Sequence, residues 1–328
     1  MNPFIKYPGG KIKEFPLVIR YKPKTISRYF EPFAGGAAIY LNIGIKRSYI
    51  NDKSKDLATF YEYIKKQNSD FFNCLIELDD LWKGIESKNE IKSSLINCKR
   101  FTEYYERTLM SKRKKLLSLE QSGIDISERD KNDMVLTAKK TAFYMCVRDL
   151  YNDENQKITI HTACFYFMRE YCYSSMFRFA KNGKFNVPYG GRSYNFKRMT
   201  PKIERMKSCE TVNYFKNTEI FNLDFETFLD LFKLDGNDFI FLDPPYDSDF
   251  STYDNNSFNK NEQIRLFEYL TKTRAKWLLI IKKTDFIYKL YKDFNILEYD
   301  KNYAVSFKNR NDREVKHLLI TNYDIGDK

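Results

Sequence analysis

RYFEPFAGGA, residues 28–37, packs a strand and a turn into ten positions. Arg28–Phe33 reads as a short strand, Ala34-Gly35-Gly36-Ala37 as a tight turn, and Ala38 to Lys46 follows with helical spacing. Glycine directly after a strand lets a backbone approach a bound ligand and tolerates positive φ. Outward from this turn, Arg47–Asn51 (RSYIN) reads as a second strand ending at Asp52. Strands that finish in small or acidic residues are those of a parallel sheet where it meets a ligand. Asp52 lies seventeen residues after Gly35, close to the offset of an acid that binds ribose hydroxyls. A helix N-cap at Asp52 or Ser54 accounts for the same residues. Turn and acid together point to a nucleoside cofactor, and with no GxxxxGK[ST] loop in the chain ATP is not the one expected.

The C-terminal part supplies the other half of an α/β domain. FIFLDPPY (239–246) is an apolar run that stops in an acid, two prolines and a tyrosine. Proline fixes φ, lacks an N–H, and drives the residue before it out of the helical region. The prolines therefore sit beyond the strand end, where the sheet edge opens on a crevice. A carboxylate held there beside rigid carbonyls is a preorganised acceptor array, suited to an exocyclic aromatic amine. Two acceptors on the amine hydrogens bend the nitrogen toward tetrahedral geometry and free its lone pair, while Tyr246 offers a flat face to the ring. The bland alternative is a proline-rich turn. Trp277–Ile281 and Val315–Thr321 are further strand candidates.

Between these ends, residues 56 to 180 carry apolar residues at three- and four-residue spacing, and proline is absent from Pro32 until Pro188. This is a long helical insertion. Within it KRKK (112–115) is most simply a solvated helix face rather than a phosphate-binding patch. The block closes with KNGKFNVPYGG (181–191), where Asn182-Gly183 suits a type I′ hairpin turn. Tyr171–Gly191 interleaves aromatics with Arg178, Lys181 and Lys184, which suits phosphate contact and base stacking or plain core plus surface. KYPGGK (6–11), a turn between two lysines, reads equally as a loop or as a site.

The formal net charge of +12, with 17% aromatic residues, favours a polyanionic partner, although part of it reflects a Lys-, Asn- and Ile-rich composition. The six cysteines form no CxxC pair and are expected as free thiols. With two histidines, His161 and His317, a histidine metal site or a Ser-His-Asp triad lacks material, and no metal is expected. The N-terminus shows no signal or transit pattern and no apolar stretch spans a bilayer, so a soluble intracellular protein is expected.

KYPGGK, FEPFAGG, YINDKSKDL (49–57), RFAKNGKFNVPYGG (178–191), NLDF (222–225) and DPPY occur in one order. In that order they resemble the Dam-like, D12-class adenine-N6 DNA methyltransferases of the alpha group, over roughly residues 3–324, including the terminal NRNDREVKHLLITNY. DPPY alone also occurs in methyltransferases of RNA or protein. The resemblance implies a class I S-adenosylmethionine-dependent methyltransferase fold, a Rossmann-like mixed sheet with an inserted, mostly helical target-recognition domain. Its catalytic domain would comprise 1–56 and 206–328, and its recognition domain 57–205, ending in a hairpin. It implies S-adenosylmethionine held by Tyr7, Lys11, Phe33, Gly35, Asp52, Asp224 and Asp243, with Ala37 in place of the last glycine of the family's FxGxG motif. Asp243, Pro244, Pro245 and Tyr246 would be catalytic on a flipped adenine of duplex DNA. Arg178, Lys184, Asn186 and Tyr189 would face the DNA. The implied setting is the cytoplasm, on the nucleoid, of a prokaryote or phage, with a cognate restriction endonuclease acting separately in the case of a modification enzyme. The rival readings are an RNA adenine methyltransferase and a catalytically dead DNA-binding relative.

Overall fold

The computed structural model describes residues 1–7, 9–87, 91, 93–246, 258–302 and 314–326. Pro8 of KYPGGK and residues 309–313 of the terminal motif lie outside the described residues. From the N-terminus run α1 (Phe15–Tyr21), β1 (Arg28–Glu31), α2 (Tyr40–Ile43), β2 (Ser48–Asn51) and α3 (Lys55–Lys65). Then come α4 (Ser69–Gly84), α5 (Cys98–Gln121), α6 (Glu128–Tyr151), α7 (Ile158–Tyr171), α8 (Thr200–Lys207) and α9 (Cys209–Phe215). The chain finishes with β3 (Thr218–Phe221), α10 (Phe225–Asp230), β4 (Asp238–Leu242), α11 (Lys260–Lys272), β5 (Lys276–Lys282), α12 (Asp285–Leu290), β6 (Asn295–Asn302) and β7 (Glu314–Thr321).

The chain divides into two compact units. The first holds Met1–Pro3, Gly9–Glu62 and Asn213–Lys328; the second holds Phe4–Pro8 and Tyr63–Val212. The first unit contains a seven-stranded sheet in the order β3-β2-β1-β4-β5-β7-β6. The first five strands in that order are parallel, while β7 runs antiparallel to both β5 and β6. β4 is buried along its whole length, as a strand covered on both faces must be. Its one polar residue, Asp238, is 1% exposed and is satisfied by Arg28 of β1 through paired bonds of 2.7 and 2.6 Å. That pair fixes the β1–β4 register. Strand order reverses about β1 and β4, which makes their C-terminal ends the place where a doubly wound sheet opens a crevice.

Several local readings shift. β1 stops at Glu31 rather than Phe33, because Pro32 has no N–H to give the ladder. The helix after the glycine turn is only Tyr40–Ile43, ended by Gly44 at φ 73°, not Ala38 to Lys46. β3 and β6 were not anticipated: one is four residues long, the other alternates apolar with charged side chains.

The second unit is helical around Trp82, whose ring meets Phe143, Phe167, Tyr171 and Tyr189. Its indole N–H donates to the Lys197 carbonyl at 3.0 Å, so the one polar atom of this core side chain is satisfied. All six cysteines are unpaired.

Candidate active site

The sheet unit gathers three strand ends around one side chain. Asn51, 1% exposed at the end of β2, donates to the carbonyls of Pro32 and Leu223, each at 3.0 Å, and accepts from the Leu223 N–H at 2.8 Å. The segments leaving β1 and β3 are thereby tied to β2. The next residue, Asp52, accepts from the Gly35 N–H and the Ser54 N–H, both at 2.8 Å. Gly35 stands at φ 48°, and its carbonyl accepts from the buried Tyr61 hydroxyl at 2.8 Å. The glycine turn is thus held from both sides by side chains. Ala37, at φ 52° and fully buried, adopts a left-handed conformation that favours glycine. Phe33 packs on Phe225 and edge-on to Phe258.

Asp224 is the N-cap of α10, accepting from the Glu226 N–H at 3.1 Å. Arg265 of α11 grips both its oxygens at 2.7 and 2.8 Å. That fork holds the Asp224 carboxyl below the usual carboxylate range, and the cap bond adds to the effect.

Just past β4, Asp243 faces Lys11. The Lys11 ammonium lies 2.6 Å from Asp243 Oδ1, donates to the Gly9 carbonyl at 2.9 Å, and sits 5.3 Å from the Tyr246 ring centre. Lys11 is 3% exposed and the Asp243 side chain 22%, so the pair is enclosed except where the carboxylate looks out. Burial drives the Asp243 carboxyl above the ordinary aspartate range, against the charge and hydrogen bond of Lys11. Gln263, buried on α11, donates to the Pro245 carbonyl at 3.0 Å and so fixes the second proline. Pro244 is buried, and among the described residues no donor to its carbonyl is found. Tyr246 rests edge-on against His317 of β7 at 5.5 Å. Burial first, and then the cations Lys301, Lys11 and Lys282, push His317 down to about 3. It is a neutral wedge behind Tyr246 throughout the physiological range.

Beneath the glycine turn, Glu31 is 2% exposed and accepts from the Tyr29 hydroxyl at 2.6 Å. Burial raises its carboxyl to about 8; the Tyr29 bond opposes this, and the Asp243 and Asp52 charges add to it. Glu31 is a proton-bearing acid at neutral pH.

The helical unit carries the remaining predicted residues. Arg169 of α7, 1% exposed, donates to the Lys6 carbonyl through Nε (3.1 Å) and Nη2 (2.7 Å). Its guanidinium lies between the rings of Tyr7 and Phe177, at 5.2 and 4.6 Å. Residues 179–185 form a hairpin: the Ala180 N–H donates to Lys184 at 2.8 Å and the Gly183 N–H to Ala180 at 2.9 Å. Only Gly183 has positive φ, at 76°, so the turn is not the expected type I′ but a tight turn followed by a left-handed glycine. Asn182 keeps ordinary φ because its side chain accepts from the Lys184 N–H at 3.2 Å. After the turn, exposed Lys184 and Asn186 alternate with buried Phe185 and Val187. Arg178 is exposed and donates to Asn186 at 3.3 Å. Tyr189 departs from the expectation: it is 8% exposed, its hydroxyl donates to Asn195 at 3.0 Å, and its ring meets Trp82, so it is core rather than a DNA-facing residue.

Sequence reasoning missed Asn51, Tyr61, Gln263, Arg265 and Arg169. Asn51 carried a signal, as a polar residue ending an otherwise buried strand. The others act across long stretches of chain and left none.

Among the described residues no helix is long and apolar enough to cross a membrane, and no group of three or more His, Cys, Asp or Glu could hold a metal ion. A mixed sheet with its switch at β1 and β4, a glycine turn after one and an acid-proline turn after the other, is that of a class I methyltransferase. The model of the D12 class N6 adenine-specific DNA methyltransferases matches residues 7–305, and the chain belongs to that family. It is 29% identical over 331 residues to the type II methyltransferase M.CviBI of Paramecium bursaria Chlorella virus NC1A, covering 98% of this chain and 100% of that one. It is also 29% identical over 349 residues to the type II methyltransferase M.MjaIII of Methanocaldococcus jannaschii, covering 98% and 99%. Identity to the DNA N-6-adenine-methyltransferase of Escherichia phage P1 is 25% over 296 residues, 88% of this chain and 31% of that one. The expected fold class and adenine-specific DNA methyltransferase activity stand.

Proposed function

We propose that the methyl donor is S-adenosylmethionine and that the acceptor is the N6 amine of an adenine turned out of duplex DNA. The observation that carries this is Asp243, held by Lys11 at the end of β4 and open on one side. The donor set suits a nucleoside: a glycine turn with positive φ at Gly35, an acid at the end of β2, and an aromatic face at Phe33. Phe33, Gly35 and Asp52 would hold the nucleoside together with Asp224, while Tyr7, Lys11 and Asp243 hold the remainder. When bound, the cofactor supplies an electrophilic sulfonium methyl group.

The chain's own contribution is to the nucleophile. Asp243 and the Pro244 carbonyl accept the two N6 hydrogens, which localises the lone pair on nitrogen. Pro244 and Pro245 hold that geometry, with Gln263 locking the second carbonyl. Tyr246, backed by neutral His317, stacks on the adenine. Arg178, Lys184 and Asn186 meet the DNA, and Tyr189 supports their segment from within. The proposed setting is the cytoplasm, with a separate endonuclease sharing the target where the enzyme belongs to a restriction–modification system.

Purified protein incubated with a methyl-labelled donor and mixed-sequence duplex should yield 6-methyladenine. Asp243→Ala should lose transfer by at least a thousandfold with duplex affinity unchanged. Full transfer by that variant, or label appearing on cytosine, would overturn the assignment.

A further inference from the structure

Helices α5 and α6, twenty-four residues each, form an antiparallel hairpin within the helical unit. From Tyr105 to Leu136 none of its residues is fully buried. Its register is set at one end by Tyr104 and Arg100 bonding Asp149, and at the other by Lys131 against Glu120. Arg107, Lys112, Arg113, Lys114 and Lys115 fall in a stretch of α5, from 107 to 119, that contains no acid. Lys112 is half-buried; the other four cations are exposed.

A helix that needs only solubility alternates its charges, because opposite signs three or four residues apart support it and like signs oppose it. The rest of this region does so. Arg100 pairs with Glu103 and Asp149, Lys131 with Glu128 and Glu120, and Arg192 with Asp130 and Asp133. Among the described residues Arg113, Lys114 and Lys115 have no acidic partner, and every side chain three or four positions from them is apolar, hydroxyl or basic. Crowding has a local cost: burial, and next the charge of Lys115, lower the Lys112 pKa. A self-repelling row that the fold does not neutralise calls for an anion from outside.

Placement says which anion. The segment after the 179–185 hairpin runs along α6, through Tyr144 to the Val187 carbonyl (2.8 Å), Asn195 to Thr137 (2.9 Å) and Arg192 to Asp130 (3.0 Å). The α5–α6 register sets residues 112–115 level with Thr137–Lys140, the height on α6 at which Asn195 bonds Thr137. We propose that the α5–α6 hairpin is an arm that grips the substrate duplex by its backbone, with Arg107, Arg113, Lys114 and Lys115 meeting phosphates and no base contact. From Arg107 to Lys115 is about 12 Å at 1.5 Å per residue. A duplex carries about one phosphate charge per 1.7 Å of axis, so several phosphates lie within reach of that length. This rests on the reading that the 178–191 segment meets DNA.

The test replaces the four cations together (R107Q, R113Q, K114Q, K115Q). Duplex affinity is measured by anisotropy from 50 to 200 mM salt, with a mapped target centred in a duplex of about 12 or about 30 base pairs. Each phosphate contact contributes about 0.9 to the log–log salt slope. The variant should therefore lose up to about 3.6 from the slope on the long duplex and bind it at least tenfold more weakly. On the short duplex its affinity should stay within twofold, with wild-type kcat at saturating DNA and an unchanged melting temperature. Equal slopes on the long duplex, with methyl transfer intact, would overturn the arm and leave the enzyme assignment standing. Equal losses on both duplexes would overturn it too, by putting the cations at the target. A native chain that binds no duplex would sink both readings.

Discussion

Replacing Glu31 by Gln should stabilise the sheet unit, and by an amount that grows with pH. The buried carboxyl keeps its proton up to about 8, against 4.5 for a solvated glutamate. Below 4.5 the acid is protonated whether the chain is folded or not, and its ionisation has no effect on stability. Between 4.5 and 8 the unfolded chain releases the proton while the fold retains it, so stability falls as pH rises; above 8 the loss levels off. At about 1.36 kcal/mol per pH unit the full loss has a ceiling of about 5 kcal/mol, of which about 3 kcal/mol accrues between pH 5.5 and 8.5. Glutamine copies the protonated acid, since its amide can donate to the Tyr29 oxygen and its carbonyl can accept from the backbone. Hydrogen exchange of β1 and β4 peptides, compared between variant and parent at each pH, isolates this unit and cancels the intrinsic exchange rate. The variant's relative protection should rise about a hundredfold from pH 5.5 to 8.5. A ratio constant within threefold would show that Glu31 is ionised in the fold, and the reasoning would fail.

Lys11→Met removes the cation that opposes the raised pKa of Asp243. Because the proposed transfer uses the carboxylate, the acid limb of kcat should move to higher pH; superimposable normalised profiles would refute this. Ala37→Gly relieves a left-handed alanine, worth about 1–2 kcal/mol. It also forfeits a buried methyl, about 0.8 kcal/mol, and adds unfolded-state entropy, about 0.4–1 kcal/mol. Its stability should thus lie within about 1 kcal/mol of the parent, and a chemical melt showing a loss above about 2 kcal/mol would contradict the strain at φ 52°.

What the sequence disclosed was what proximity along the chain can encode. FAGG and DPPY are legible because glycine and proline constrain their own backbones, and Asp52 because it ends a strand beside them. The turn at Asn182-Gly183 was readable as a turn but not by type, since the Asn182 side chain decides the conformation by bonding forward to Lys184. Tyr189 looked like a DNA-facing aromatic because an amphipathic ring serves surface and core equally; its burial depends on Trp82, over a hundred residues away. Lys11 with Asp243, and Asp224 with Arg265, are pairings that only the sheet topology brings about. β6 escaped because its alternating charges describe an edge strand that exists only once β7 lies alongside.

The partition of the N-terminus bears on attempts to exchange specificity between relatives. Phe4 and Lys6 belong with the helical unit, their carbonyls held by Tyr166 at 3.2 Å and by Arg169. A chimera that transplants residues 63–212 alone would carry a buried phenol and a buried guanidinium cut off from the peptide they were shaped around. Each stranded donor costs about 1–3 kcal/mol. The module that can be moved is therefore discontinuous, and its smaller piece is five residues from the very start of the chain.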